Sequence, residues 1–430
     1  MDSSPPPPVP RSFLEYIRSF GPGMVIVLTW LGAGDIVEIG VAGSNYGYTL
    51  MWIILAALIV RFLFVSLIAK YELCNERGES VLDALARLHR WYAPLMLAIA
   101  VIMGHVYGAY MTVGVGETWS ALTGVGKTWQ WALVWTAIAV AIVFRPVFAT
   151  IEKLFLALLA ILTLSLLGIA IWAGPSPTGI LRGTLGFEMP ERVGAFDSLL
   201  LAIGMLGAVG GSVMNLVYPY FLNQKGWRGP AYRRVQMYDF ILAIVVMIVL
   251  DMAIWTIGAE LLHGKATAIQ NLKDLSQLLG VALGQGGRVL FYLGVFAAVY
   301  TSIVGHALGL GLLASHAYAR WRAGDGPVDR NYRDQPLYRF VVLWILISPL
   351  LWTIPDMPSF VRLTLISNSA QVALVPILAT GLFWITADPR FIGPKYCNRW
   401  WENVFMIAVL LISLWGAYGS LTSVWQELNR

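Results

Sequence analysis

The chain has 430 residues, of which 58% are hydrophobic and only 12% are charged, against about 25% charged in soluble domains. Its mean hydropathy is +0.70, which excludes a soluble globular domain. Its net charge of +5 follows from loop topology and gives no argument for a nucleic-acid partner. The two cysteines, Cys74 and Cys397, lie far apart and argue against a disulfide framework or a Cys-based metal site.

Residues 1–19 read as a disordered cytosolic tail, opening on the run MDSSPPPPVP and lacking the apolar core of a cleavable signal peptide. Eleven apolar spans follow, at roughly 20–45, 48–70, 92–122, 128–145, 150–173, 195–222, 237–262, 287–317, 338–354, 358–386 and 400–426, nearly all of a length to cross about 30 Å of hydrocarbon. With the N-terminus in the cytosol, the inner loops collect 20 of the 29 Lys and Arg residues. That alternation fits the positive-inside rule, and an even number of spans would spoil it. The C-terminus is then extracytosolic, and a plasma (inner) membrane of a prokaryote is the expected location. Trp400 and Trp401, at the start of the last span, are expected interface anchors.

The first span is interrupted at Leu31-Gly32-Ala33-Gly34-Asp35. Glycine weakens a helix by about 1 kcal/mol relative to alanine, and a carboxylate at the bilayer centre costs several kcal/mol. Both are tolerated together where irregular backbone lines a protein-enclosed cavity. The expected element is a broken helix that holds a solute, with Asp35 as its charge. A plainer role for Asp35 is to cap the second half-helix. Span six carries Gly204, Gly207, Gly210 and Gly211, then Ser212, Met214, Asn215 and Pro219, and is the other span built to break. It lies five spans after the first, so repeats of five, 20–173 and 195–386, are inverted relative to each other, with 400–426 outside them. Paired broken helices at matching positions of inverted halves point to a midplane substrate site.

Several stretches then resemble the NRAMP family of divalent-metal transporters. Gly21-Pro22-Gly23, the break, Asn45-Tyr46-Gly47-Tyr48 and Leu50-Met51-Trp52 resemble the start of that family. Ile203-Gly204-Met205-Leu206-Gly207-Ala208 is similar to its sixth span, Ile151-Glu152-Lys153 to its fifth, and Ala387-Asp388-Pro389-Arg390-Phe391-Ile392-Gly393 to the loop after its tenth. The resemblance covers nearly the whole chain and implies an all-α, polytopic LeuT-type fold of eleven transmembrane helices, with helices 1 and 6 broken.

The departures shape the functional expectation. The family's Asp-Pro-Gly-Asn falls on Gly32-Ala33-Gly34-Asp35, so its metal-binding aspartate becomes Gly32 and its asparagine Asp35. Aligned without gaps from Ile203, Ala208 matches the site alanine and Gly211 the methionine, and Ser212 and Val213 replace Pro-His. A competing register slides Val213-Met214 onto the family's Val-Met. In either, no histidine remains in span six. The acidic pair of span three is also missing, since that region reads His105-Val-Tyr107-Gly-Ala-Tyr110 with no carboxylate until Glu117. Loss of a thioether removes selection against hard cations, and Mg²⁺ keeps waters while using only one or two carboxylates. The pattern is similar to the NRAMP-related magnesium transporter branch and implies passage of Mg²⁺ or Mn²⁺ without proton coupling.

The expected metal site is Asp35, Gly32, Ala208, Gly210 and Gly211, with Glu38, Ser212, Met214, Asn215 and Asn368 as neighbours. Each has a structural alternative: close helix packing for the glycines, core packing for Met214, interhelical hydrogen bonding for Asn215 and Asn368. His105 reads as a satisfied buried histidine or a proton relay. Asp251, in mid-span, must face protein or water. Arg145, Glu152 and Lys153 form an expected inner-rim cluster. Three classes stand: a divalent-cation transporter, with the bilayer and the cation as its partners and no enzymatic cofactor; a transporter of an anion or small organic solute on the same fold; and a receptor or enzyme without flux. No nucleophile, phosphate loop or His/Cys cluster supports an enzyme.

Overall fold

The computed structural model describes residues 7–21, 33–145, 148–192, 196–210, 212–264 and 269–428. Its regular elements are helices: α1 Phe13–Ser19, α2 Ala33–Tyr46, α3 Met51–Cys74, α4 Val81–Leu88, α5 Tyr92–Thr123, α6 Thr128–Ile142, α7 Phe148–Ala173, α8 Pro177–Leu185, α9 Ser198–Met205, α10 Tyr218–Gln224, α11 Arg233–Ile257, α12 Gln277–Ala323, α13 Pro336–Ile347, α14 Phe360–Gln371, α15 Val375–Ala387 and α16 Trp400–Leu428. Among the described residues, eight helical stretches are long and apolar enough to cross a membrane. They coincide with spans two, three and six to eleven expected from sequence. Span four is α6, apolar but only 15 residues long. Span five is α7, whose stretch Ala157–Ala173 bends by 108° into α8. Of span one, α2 is the described half, and Gly32 lies outside the described residues, as does Gly211.

The expectation of a disordered tail over residues 1–19 is corrected at Phe13–Ser19, which is helical. Ser12 and Glu15 form a reciprocal cap: the Ser12 hydroxyl accepts from the Glu15 N–H, and the Glu15 carboxylate accepts from the N–H groups of Ser12 at 3.2 Å and Arg11 at 2.7 Å. This satisfies donors that a helix start leaves orphaned. Upstream, the Pro7 carbonyl accepts from the Tyr232 hydroxyl.

The loops sort onto two faces. On one, the Pro7 segment, residues 72–85, residues 219–230 and residues 330–333 surround a single vestibule of about 840 Å³. The 388–393 loop joins the same face through the Tyr71 hydroxyl, which donates to the Phe391 carbonyl at 3.2 Å, and through Arg87, which lies over the Phe391 ring at 4.0 Å. On the other, the Glu260 carboxylate accepts from the Tyr48 hydroxyl and the Ser176 N–H, both at 3.0 Å, and Trp52 donates to the Glu188 carbonyl at 3.1 Å. Loops after odd and even spans are thus segregated, as an alternating bundle requires.

Span six breaks. α9 passes into a π-helical turn, Leu206–Gly210, and a 3₁₀ turn, Val213–Val217, before α10. Ser212 is extended (φ −59°, ψ 133°), and its hydroxyl accepts from the Met214 N–H at 3.3 Å. Such π-turns inside helices are frequent at functional sites. Two glycines permit the approach of neighbours here. A Cβ on Gly207 would stand 2.0 Å from the Asn368 carbonyl oxygen, and one on Gly204 would stand 2.6 Å from Glu38 Oε1. The broken span therefore lies directly against α14 and the Glu38 carboxylate.

Candidate functional site

Where α2 and the π-turn meet α3, α5, α12 and α14 lies a small cavity of about 30 Å³. Its lining includes Asp35, Arg61, Tyr107, Ala208, Ser212 and His306. Asp35 stands in the first turn of α2, where the positive end of the helix favours an anion. It is 2% exposed, and its Oδ2 has no hydrogen-bond partner among the described residues. A buried carboxylate oxygen in that condition is costly and is free to meet a cation.

One turn on, Glu38 is fully buried. Its Oε1 accepts from Asn368 Nδ2 at 3.0 Å, and its Oε2 has no partner among the described residues. Asn368 Oδ1 accepts from Gln371 Nε2 at 3.3 Å, and Gln371 Oε1 accepts from the Tyr107 hydroxyl at 2.6 Å. A polar chain thus runs from α5 through α14 to α2. Asp251 of α11 is also buried, with both carboxylate oxygens unpartnered among the described residues.

Arg61 of α3 completes the cluster. It is 1% exposed, its Nη2 donates to the Ala208 carbonyl in the π-turn, and its Nη1 lies 3.5 Å from Met247 Sδ. The charges of Asp35, Asp251 and Glu38 all act on it. Three buried carboxyl groups and one guanidinium thus share this region.

The profile of the Nramp family, described as natural resistance-associated macrophage protein-like, matches residues 23–423. The chain belongs to the Nramp family. Curated relatives include the divalent metal cation transporter MntH of Bacillus subtilis, 23% identical over 433 residues and spanning 94% of this chain and 92% of the relative. Another is the MntH of Verminephrobacter eiseniae, 24% identical over 404 residues, spanning 88% of this chain and 83% of the relative. The Eremococcus coleocola manganese transporter, in complex with an aromatic bis-isothiourea substituted compound, superposes with a TM-score of 0.74. It is 15% identical, with 97% of this chain and 89% of that one covered. MhsT in complex with L-phenylalanine superposes with a TM-score of 0.54 at 15% identity, covering 94% of this chain and 98% of that one. The Nramp chain therefore has the all-α, LeuT-type fold, and the family consists of transporters, not enzymes.

Of the residues singled out from sequence, the Nramp chain brings Asp35, Ala208, Ser212 and Asn368 to one cavity, with Glu38 bonded to Asn368. Met214 and Asn215 are buried but not on the cavity wall; Met214 Cε lies close to Gly309, as core packing requires. Gly210 ends the π-turn. The side chains of Glu152 and Lys153 lie outside the described residues. His105 is a satisfied structural histidine. The Trp352 indole donates to its Nε2 at 2.9 Å, which leaves the proton on Nδ1 to reach Ser348 Oγ at 2.8 Å. Glu117 accepts from the Phe360 N–H at 2.9 Å and so caps α14. Among the described residues, no group of three or more His, Cys, Asp or Glu forms a metal-binding cluster. Sequence reading missed Arg61, Tyr107, Ser302, His306 and Gln371 as site residues. The signal for Arg61 was a lone cation in the middle of an apolar span.

Proposed function

We propose that this Nramp-family chain moves divalent metal cations across a membrane by alternating access, with Asp35 and the Ala208 carbonyl as ligands. The observation that carries the reading is the buried Asp35 carboxyl, whose Oδ2 has no partner among the described residues and which shares one cavity with Ala208 of the π-turn. The named activities of the curated relatives and of the manganese transporter it superposes on support the same class. Oxygen donors with no thioether at the break favour hard ions, Mg²⁺ and Mn²⁺. The cavity wall does carry Met111, on the scaffold helix α5. With His105 bonded at both nitrogens and Glu117 used as a helix cap, span three offers no free titratable relay, and uptake proceeds without proton coupling. Spans one, two, six and seven rock against three, four, five, eight, nine and ten, with the N-terminus cytosolic in the plasma membrane of a prokaryote.

The test is flux into proteoliposomes with Mn²⁺, Mg²⁺ and Ca²⁺ presented separately while internal pH is recorded. Mn²⁺ or Mg²⁺ entry without acidification, lost at least tenfold in Asp35→Ala, is the expected result. Entry with acidification overturns the uncoupled mechanism, and no divalent flux overturns the cation reading.

A second reading has its own observation: a fixed guanidinium sits on the Ala208 carbonyl, which suits a solute carrying negative charge. The cavity of about 30 Å³ admits roughly two waters and is too small in this form for an organic molecule, which favours the ion.

A further inference from the structure

The guanidinium of Arg61 stands where a transported cation would have to stand. Its Nη2 already uses the Ala208 carbonyl, it shares the cavity wall with Asp35, and the charges of Asp35, Asp251 and Glu38 all bear on it. A dication entering the same 30 Å³ meets a like charge and an acceptor that is already occupied. Without any cation, the buried Asp35 carboxylate would stand uncompensated in a low-dielectric core, a condition that is strongly unfavourable. Arginine is chemically suited to this position, because its charge is permanent and its planar fork can bond one acceptor while ion-pairing with another.

We propose that Arg61 is a resident counter-cation that competes with the transported ion. In the form described it bonds the Ala208 carbonyl and shares the cavity wall with Asp35. When the ion binds, the guanidinium moves off toward Met247 and Asp251, on the α11 side of α3, where Nη1 already lies 3.5 Å from Met247 Sδ. The inference rests on the divalent-cation reading above and assigns this residue two effects. Arg61 weakens ion binding by competition. It also neutralises the empty site, so that the carrier can close and return without cargo. Net uptake requires that empty return, whereas exchange of one ion for another across the membrane does not.

The test compares net Mn²⁺ uptake with Mn²⁺/Mn²⁺ exchange in proteoliposomes for the wild-type chain, Arg61→Gln and Arg61→Lys. In Arg61→Gln, KM for Mn²⁺ falls about tenfold, and net uptake drops at least tenfold more than exchange does. Arg61→Lys, which keeps the charge but not the fork, recovers part of the net uptake. A KM that rises, or net uptake and exchange that fall in equal proportion, overturns the proposal. If Arg61→Gln does not fold, Arg61→Lys decides: a ratio of net uptake to exchange equal to wild type, together with an unchanged KM, also overturns it. Absence of Mn²⁺ and Mg²⁺ movement in the wild-type chain is a different outcome. It removes the cation reading itself, whatever the variants do.

Discussion

Asn368 of α14 donates from Nδ2 to Glu38 Oε1 of α2 at 3.0 Å, and both side chains are buried. The bond ties a helix of the expected scaffold to the half-helix that carries Asp35. Replacing Asn368 by Leu strips the buried Glu38 carboxyl of its donor, a loss of about 1–3 kcal/mol for a buried polar group left unsatisfied. The variant is expected to lower the thermal midpoint in detergent and to raise KM for Mn²⁺ several-fold. An unchanged KM would show that Glu38 takes no part in holding the ion.

Gly207 allows the π-turn to lie against the Asn368 carbonyl, where any Cβ would stand at 2.0 Å. The neighbouring atom is backbone and cannot rotate away. Gly207→Ala is therefore expected to destabilise by about 1–3 kcal/mol, the usual range for overpacking, and to reduce flux at least tenfold. Thermal melting and flux on the same preparation check both, and wild-type flux would show that α9 and α14 separate at no cost.

His105 tests the absence of a proton relay. Its ring is held by Ser348 and Trp352, so His105→Phe leaves the indole N–H of Trp352 without its acceptor. Stability is expected to fall by about 1–3 kcal/mol, while flux per folded molecule stays within twofold of wild type and shows no new dependence on external pH. A tenfold loss of flux would assign the histidine a role in transport.

Asp83 of α4 supplies the pH dependence. Burial works against its charge, yet hydrogen bonds and charge from His316 and Arg320, at 3.2 and 2.6 Å, hold its carboxyl well below the usual carboxylate range. A depressed folded value contributes stability that is fully present above the unfolded value near 3.9. That contribution is lost as pH falls from about 4 through the folded value. The wild-type thermal midpoint is expected to decline in that acid window, and Asp83→Asn is expected to be less stable at pH 7 and flatter below pH 4. Parallel curves for the two proteins would refute the assignment.

The spans were legible because a run of some twenty apolar residues has few other stable fates in a bilayer. The break of span six was legible because its glycines are followed by Ser212, Asn215 and Pro219, whereas the break expected at residues 31–35 lies partly outside the described residues. Less was visible where the signal is reciprocal or spatial. The Ser12–Glu15 cap lies just after a proline run that suggested disorder, although its S-x-x-E spacing was in view. Tyr107, Gln371 and Asn368 join only when α5 and α14 pack, which no local pattern encodes. Arg61 was readable by subtraction. When the loops have claimed their Lys and Arg residues, it is the one left inside a span, and a charge there marks function by default.

The small volume at the centre has a kinetic meaning. About 30 Å³ holds roughly two waters, and an octahedral hydration sphere does not fit inside. An ion held in this space exchanges most of its water for protein oxygens. The ease with which an ion gives up water then ranks the permeant species alongside how well the walls hold it. Mg²⁺ dehydrates reluctantly, so at equal affinity it would turn over more slowly than Mn²⁺, and the solvent around the ion would share in setting the speed of the carrier.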